Sequence, residues 1–414
     1  MRSVAFPVCL FLNVMLFGMC GYMYLLWLQY WHRLWNQKQQ DQQVEYDMSD
    51  FRRNEVVVEY FDDPSIPAIA HHKSKRSGGG EDKKSPLAFL HRDAYSGEIT
   101  STRLLMLKTK TVAKLRQTVV DESNNMNMDQ VNPYGVQPRN TRILNDNIVC
   151  DLREKLEYVK TLKKSDIEGS SAQDAIPDTD LFSDQNYYNN CAVVSSAGSL
   201  YHSNMGDFID SHDLVLRFNN APTKGYETDV GSKTTIRILN SQILAKSEFH
   251  FSTSPLYRNI SLLVWDPSNY SSTLQQWWND PEHNFIEPYV QFRRQNARSN
   301  FHILDPSVLW LLWDFIQGHT MSKIRPNPPS SGFLGIALLL PYCATINVIE
   351  YVPTQRAVQR CHYYSPKTDA LCTYGVWHPL AAEKLIALEM NTAPDNIVFN
   401  DGYISIPGYN KVIC

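Results

Sequence analysis

The chain has 414 residues, 43% of them hydrophobic and 12% aromatic, ample for one large domain or two ordinary ones with a real core. A formal net charge of −4 argues against a nucleic-acid binder, which would carry a basic excess. No segment repeats at a fixed period, so repeat architectures are set aside as well.

Val4 to Leu28 holds no charged residue and is long enough to cross a bilayer. Tyr22, Tyr24, Trp27, Tyr30, Trp31 and Trp35 crowd its C-terminal side, as an interfacial belt would. A cleaved signal peptide is the rival, but the segment is long for a signal's apolar core and lacks a small-x-small exit. The expectation is an uncleaved signal anchor over residues 4–28, behind a cytosolic tail of residues 1–3. Flanking charge barely orients it, since Arg2 stands on one side and Arg33 and Lys38 on the other. Two sequons and six cysteines further along require a lumenal C-terminal region.

Residues 29–145 read as a flexible lumenal stem. NQKQQDQQ is polar and low in complexity, HHKSKRSGGGEDKKSP is charged and Gly-rich, and SNNMNMDQVNPYGVQPRN can bury little. Such a segment cannot offset its ordering entropy and should act as a tether. Lys73-Ser74-Lys75-Arg76 fits a basic cleavage site that would release a secreted form, although a solvated charge run is the plainer reading.

From residue 146 onward short apolar runs alternate with longer helical patterns. Val193 and Val194 run into Ser195-Ser196-Ala197-Gly198, a strand breaking into a small-residue loop. DLVLRFN (213–219), TTIRILN (234–240), SLLVWDP (261–267), FHILDP (301–306) and INVIEYVP (346–353) read as strands. SVLWLLWDFIQGH, GFLGIALLL and PLAAEKLIALEMN read as helices. This alternation predicts an α/β fold, a mostly parallel sheet flanked by helices, with the ligand at the C-terminal rim of the strands. Small residues after a strand let backbone N–H groups approach a ligand, and Asn219 and Asn240 end two strands with amides suited to a pyrimidine edge.

Cys9 and Cys20 fall within the apolar N-terminal segment and read as small apolar residues. Cys150, Cys191, Cys343, Cys361, Cys372 and Cys414 form no CxxC or Cys/His cluster, so disulfides are favoured over zinc, with the pairing open. Asn259-Ile260-Ser261 and Asn269-Tyr270-Ser271 are glycosylation sequons at either end of one strand.

The block from Cys191 to Gln242, CAVVSSAGSLYHSNMGDFIDSHDLVLRFNNAPTKGYETDVGSKTTIRILNSQ, resembles the large sialyl motif of eukaryotic sialyltransferases. NPPSSGFLGIALLLPYC (327–343) resembles the small motif, HYYS (362–365) the third motif and HPLAAEK (378–384) the very small motif. They stand in the family's order, and RFNNAPT, DVGSKTTIR, NSQ and NPPSSG are most similar to β-galactoside α-2,6-sialyltransferases. The resemblance implies a single Rossmann-like catalytic domain over 146–414, a variant glycosyltransferase A fold. It also implies a type II Golgi membrane protein and the disulfides Cys150–Cys414, Cys191–Cys343 and Cys361–Cys372.

The implied reaction is inverting, metal-independent transfer of N-acetylneuraminic acid from CMP-Neu5Ac to the 6-hydroxyl of terminal β-linked Gal or GalNAc on glycoprotein N-glycans. The partners are thus the CMP-sialic acid donor, the glycan acceptors and the Golgi membrane; oligomeric state has no signature in the sequence. Ser196, Asn219, Asn240, Ser330, Ser331, Gly332, Cys361 and His362 match positions on the donor side. A small-residue helix start such as Ser330-Ser331-Gly332 presents free N–H groups and a positive dipole end to an anion. By resemblance, His362 hydrogen-bonds the departing phosphate, stabilising its growing charge. His378 is the expected base, an imidazole that can take the proton of an attacking hydroxyl, just ahead of Pro379 at a helix start. Glu383 either orients this site or belongs to a solvated helical face. Gln242, Glu282, Ser365 and Trp377 match the acceptor side, but Ser365 stands where Gln or an acid is usual, Trp377 where Tyr is, and Glu282 where Asp is.

No metal or other cofactor is expected. The one Asp-x-Asp triplet, Asp178-Thr179-Asp180, follows Pro177 and no convincing strand, which suits a loop or cap better than a metal ligand. Three rivals remain: α-2,3 linkage, a non-catalytic CMP-sugar or glycan binder, and a hydrolase of CMP-Neu5Ac. The wording RFNNAPT and NSQ opposes the first, and a binder would need neither His362 nor His378.

Overall fold

The computed structural model describes residues 98–125, 132–142, 147–182, 187–358, 360–368, 371–375 and 377–414. The predicted anchor over 4–28 and the basic run at 73–76 lie outside the described residues. Among those described, no helix is long and apolar enough to cross a membrane.

A seven-stranded sheet carries the fold. Its strands are β1 (Tyr188–Val194), β2 (Leu214–Phe218), β3 (Ile236–Asn240), β4 (Ser261–Trp265), β5 (Phe301–Ile303), β6 (Cys343–Ile349) and β7 (Tyr403–Pro407). The order is β5-β4-β3-β2-β1-β6-β7. All pairings are parallel except β6 with β7, which are antiparallel at the edge. A separate two-residue pairing joins Thr141–Arg142 to His319–Thr320. Parallel strands covered on both faces need apolar residues throughout, which is why LVLRF and SLLVW are nearly continuous apolar runs.

Successive side chains go to opposite faces. Cys191, Val193, Leu214, Leu216, Ile236 and Ile238 join one core with the buried faces of several helices. Those helices include α2 (Ile148–Lys155), α4 (Ser307–Gly318), α5 (Ser331–Leu339) and α6 (Leu380–Glu389). On the other face, Leu239, Leu262, Val264, Phe301 and Ile303 pack against α3 (Ile286–Gln295), which contributes Tyr289, Val290 and Phe292. The cysteines pair as Cys150–Cys414, Cys191–Cys343 and Cys361–Cys372, the pairs that the resemblance implies. Cys191–Cys343 lies within the core and ties β1 to β6, and with them the large motif to the small one.

The stem expected over 29–145 needs correction at its C-terminal end. Glu98–Asn125 forms a long helix, α1, packed against α6. Thr111, Leu115, Val119 and Glu122 are buried, with Leu104 and Leu107 packed against the same core. These positions recur every three or four residues and so form one helical stripe. Lys108 pairs with Asp395 at 2.9 Å, and Glu122 with Arg325 at 2.9 Å. Val136 is fully buried and Tyr134 nearly so. The charged and polar residues between the apolar positions hide this stripe from a compositional reading, and tertiary packing supplies the stability that the helix lacks alone.

Candidate active site

The C-terminal ends of β1, β2 and β3 deliver Ser196, Asn219 and Asn240, expected on the donor side, to one rim. After β1, Ser195 Oγ donates to the Glu350 carbonyl at 3.0 Å and accepts from Ala197 N–H at 3.2 Å. Gly198 is required here because an added Cβ would sit 2.0 Å from the Arg360 carbonyl oxygen. That close approach lets the third-motif loop lie across the large motif. Ala197 bridges His362, Tyr363 N–H donates to the Ser196 carbonyl at 3.3 Å, and Tyr363 Oη donates to the Pro222 carbonyl at 2.6 Å. His362 is exposed, with its ring stacked on Tyr364 at 5.2 Å. Cys361 N–H donates to the Lys367 carbonyl at 3.0 Å. A small cavity touches Gly198, Tyr351, Cys361 and Lys384, at the seam between this loop and α6.

Asn219 adopts φ of 45°, a left-handed conformation that Asn tolerates better than most residues. Its Oδ1 accepts from Asn240 N–H at 2.9 Å, and Asn240 Oδ1 accepts from Gln242 N–H at 2.9 Å. Beneath them lies Arg237, 1% exposed, whose Nη1 donates to the carbonyls of Phe218, Asn219 and Ala221 at 3.2, 2.9 and 3.0 Å. Burial, together with the Arg217 charge, pushes the Arg237 pKa down to about 10. The guanidinium thus fixes the loop that presents Asn219.

Ser330 caps α5, accepting from Phe333 N–H at 3.2 Å. Ser331 Oγ accepts from Trp265 Nε1–H at 2.8 Å, holding the helix start to the end of β4. A Cβ at Gly332 would meet the Tyr351 ring at 2.7 Å. Glu383 is fully buried, which overturns the solvated-face alternative. It accepts from Ser330 N–H at 2.8 Å, Ser330 Oγ at 2.5 Å and Tyr351 Oη at 2.7 Å.

His378 stands half-buried immediately before α6. Pro379 occupies the N-cap and the helix begins at Leu380, one residue later than the N1 position expected for the proline. The Pro328 carbonyl lies 2.8 Å from His378 Nδ1. A carbonyl can only accept, so Nδ1 carries the proton and Nε2 keeps its lone pair. Burial lowers the His378 pKa, while the Glu383 charge opposes that shift. The neutral imidazole is therefore favoured, and Nε2 is its basic atom.

Trp377 is 38% exposed and stands edge-on to His378 at 4.6 Å. Asn327 Nδ2 donates to its carbonyl at 2.6 Å. Glu282 N–H donates to buried Asp266 at 2.9 Å, and its carboxylate accepts from Tyr134 Oη at 2.6 Å. Tyr134 in turn stands edge-on to Trp377 at 6.2 Å. Tyr134 thus links Glu282 to Trp377, which borders His378, while Gln242 donates its backbone N–H to Asn240 and its side-chain Oε1 accepts from Lys246. Ser365 is placed differently: it bonds locally, its N–H to the His362 carbonyl at 3.1 Å and its Oγ to Lys367 N–H at 3.2 Å.

Asp178 and Asp180 pair with Lys164 and Lys163 at 3.7 and 3.0 Å on an exposed surface. Among the described residues there is no group of three or more His, Cys, Asp or Glu side chains placed to hold a metal. Both sequon asparagines, Asn259 and Asn269, are exposed.

The family model for glycosyltransferase family 29 (sialyltransferase) matches residues 136–393. The chain belongs to family 29. It is 43% identical over 289 residues to β-galactoside α-2,6-sialyltransferase 2 of Gallus gallus, covering 68% of this chain and 54% of that protein. The Bos taurus protein of the same name is 50% identical over 224 residues, covering 54% and 45%. The Rattus norvegicus protein is 36% identical over 387 residues, covering 86% and 73%. The chain spans about half the length of the chicken and bovine relatives it matches. A solved mammalian sialyltransferase superposes with a TM-score of 0.40 at 21% identity, covering 62% of this chain and 87% of that one.

Several site residues of this family 29 chain escape sequence reasoning. Arg237, Asp266, Tyr351 and Trp265 act by holding the backbone or side chains of other residues, and only their burial and bonding reveal it. Tyr134 falls in the supposed stem, 148 residues from its partner Glu282.

Proposed function

We propose that the chain transfers N-acetylneuraminic acid from CMP-Neu5Ac to the 6-hydroxyl of terminal β-linked Gal or GalNAc on glycoprotein glycans. The observation that carries the reading is His378. Its Nδ1–H is engaged by Pro328, which leaves Nε2 as the basic atom, and its ring lies 4.6 Å from that of Trp377 and 6.4 Å from that of Trp265. In this reading the acceptor hydroxyl attacks the anomeric carbon of the sialyl group as its proton passes to His378 Nε2. The bond from that carbon to the phosphate oxygen breaks, CMP leaves with the electron pair, and the configuration inverts. Ser196, Asn219 and Asn240 cradle the cytidine, while Ser330, Ser331 and Gly332 present the start of α5 to the donor's negative charge. His362 and the backbone at Cys361 meet the leaving phosphate. The names of the relatives support the α-2,6 linkage and the β-galactoside acceptor. No metal enters the proposed step.

The remaining parts of the reading are a Golgi type II membrane protein, anchored by residues 4–28, with glycans on Asn259 and Asn269. The test is incubation of the lumenal part with labelled CMP-Neu5Ac and Galβ1-4GlcNAc, with and without EDTA, followed by linkage analysis. An α-2,6 product insensitive to EDTA is expected. An α-2,3 product would overturn the linkage. CMP release independent of acceptor would mark a hydrolase, and absence of CMP release a binding protein.

A further inference from the structure

Tyr134 is presented by a tight turn. Gly135 N–H closes it onto the Asn132 carbonyl at 3.4 Å, Gly135 has φ of 69°, and Asn132 Oδ1 accepts from Val136 N–H at 3.1 Å. The Tyr134 carbonyl accepts from Tyr270 N–H at 2.8 Å, and its ring packs on Trp310 at 5.5 Å. The backbone and ring are therefore fixed from both sides, leaving the phenol as the one group directed to the acceptor rim. There Oη donates to Glu282 Oε2 at 2.6 Å, and the ring stands edge-on to Trp377. A carboxylate with one oxygen held by a buried phenol rotates less freely, so the bond restrains the direction of Oε1. His283 Nε2 lies 3.7 Å from Oε1.

We propose that Tyr134 is a positioning residue for the acceptor: it orients Glu282 and buttresses Trp377, so a residue outside the four sialyl motifs completes the acceptor half of the site. This rests on the proposed transfer reaction. Burial and the Glu282 charge raise the Tyr134 pKa, so the phenol remains a donor throughout the working range of pH. The hydrogen bond to a charged partner is of the stronger kind. Losing it frees the carboxylate without removing it, which weakens acceptor binding and leaves the donor half untouched.

The experiment compares wild type, Y134F, E282Q and the double variant. Acceptor KM, donor KM and Tm are measured for each, with the dissociation constant for Galβ1-4GlcNAc taken from ligand-detected NMR. Y134F should raise the acceptor KM and dissociation constant roughly five- to tenfold, the scale of one ordinary net hydrogen bond, since the carboxylate itself remains. The donor KM should stay within about twofold, because none of the donor-side bonds involves this phenol. In the E282Q background, the same change should add little, since the two act as one unit. An unchanged acceptor KM and dissociation constant in an active Y134F enzyme overturns the proposal, whatever happens to Tm. So does full additivity in the double variant. Failure of the wild type to make any sialylated product overturns the transfer reading instead, and the NMR comparison still decides the role of Tyr134.

Discussion

Ser330 and Glu383, 53 residues apart, are joined twice: backbone N–H to Oε1 at 2.8 Å and Oγ to Oε2 at 2.5 Å. The first residue caps α5 in the small motif, and the second lies on α6 in the very small motif. Tyr351, two residues beyond β6, adds a third bond to the same carboxylate. One buried side chain thus fixes the start of α5 relative to the helix that follows His378.

Removing that carboxylate strands buried donors. Each unsatisfied donor costs about 1–3 kcal/mol, so Glu383→Ala should lower Tm by many degrees and abolish transfer. Glu383→Gln keeps the shape but weakens the bonds to Ser330 and Tyr351. It should remain folded with a donor KM raised roughly tenfold, corresponding to about 1.4 kcal/mol. Thermal melting and donor titration are the measurements. A Gln variant with wild-type donor KM would show that the link serves stability alone.

Leu115 lies in the segment that composition marks as a tether, yet it is fully buried. Leu115→Ala should cost about 2–5 kcal/mol, the usual range for a core leucine. A chain beginning near residue 97 should melt like a longer one, whereas a chain beginning at 126 should melt far lower, because the α6 side of the core is uncovered. Urea or thermal unfolding of the three proteins decides the matter. Equal stability of the two truncated chains would return α1 to the stem.

These residues also show what the sequence makes legible. Strands β2, β3 and β4 stand out because parallel strands buried on both faces need unbroken apolar runs, and α6 because its apolar residues recur at helical spacing. Edge strand β7 is less visible: YISIP is short and only alternately buried. Of the proposed site, His378 and the Ser330-Ser331-Gly332 turn are recognisable from motifs, since the proposed chemistry would require particular side chains in a local order. Tyr134 and Tyr351 are not, because their importance comes from contacts 148 and 32 residues away that exist only in the folded chain. Helix α1 fails for a third reason. Its stripe is interrupted by so many lysines and threonines that no run looks apolar, and the packing partner is distant in sequence.

His302 is fully buried on β5, its Nε2 2.8 Å from Asn300 Oδ1. Asn300 spends its amide N–H groups on Leu181 O and Ser261 Oγ, so Oδ1 must accept and His302 Nε2 must donate. Protonating Nδ1 would bury a charged N–H without a partner, and burial accordingly pushes the pKa down to about 4. The unfolded chain, with an ordinary value near 6.5, binds that proton more readily. Stability should therefore fall as pH drops from about 6.5 towards 4, and be restored on raising it. Melting curves across this window should show the fall, and His302→Gln should reduce its slope. A slope unchanged in a folded variant would remove His302 as the cause.

In the proposed reaction His378 works in the opposite sense to a structural histidine, because there its protonation state would limit rate rather than folding. Nδ1–H is committed to Pro328, so a proton added at Nε2 removes the only basic atom. Burial lowers its pKa, which keeps the neutral form present below the ordinary histidine range. The kcat/KM of the enzyme should thus rise with pH along an acid limb whose midpoint lies below about 6.5, then level off. His378→Ala should lower kcat roughly a hundredfold or more, the usual scale for a general base, with CMP affinity nearly intact. The residual activity should also lose the acid limb, since the group that titrates has gone. If the variant kept more than about a tenth of its activity, or if the limb persisted with the same midpoint, the proton would be going elsewhere.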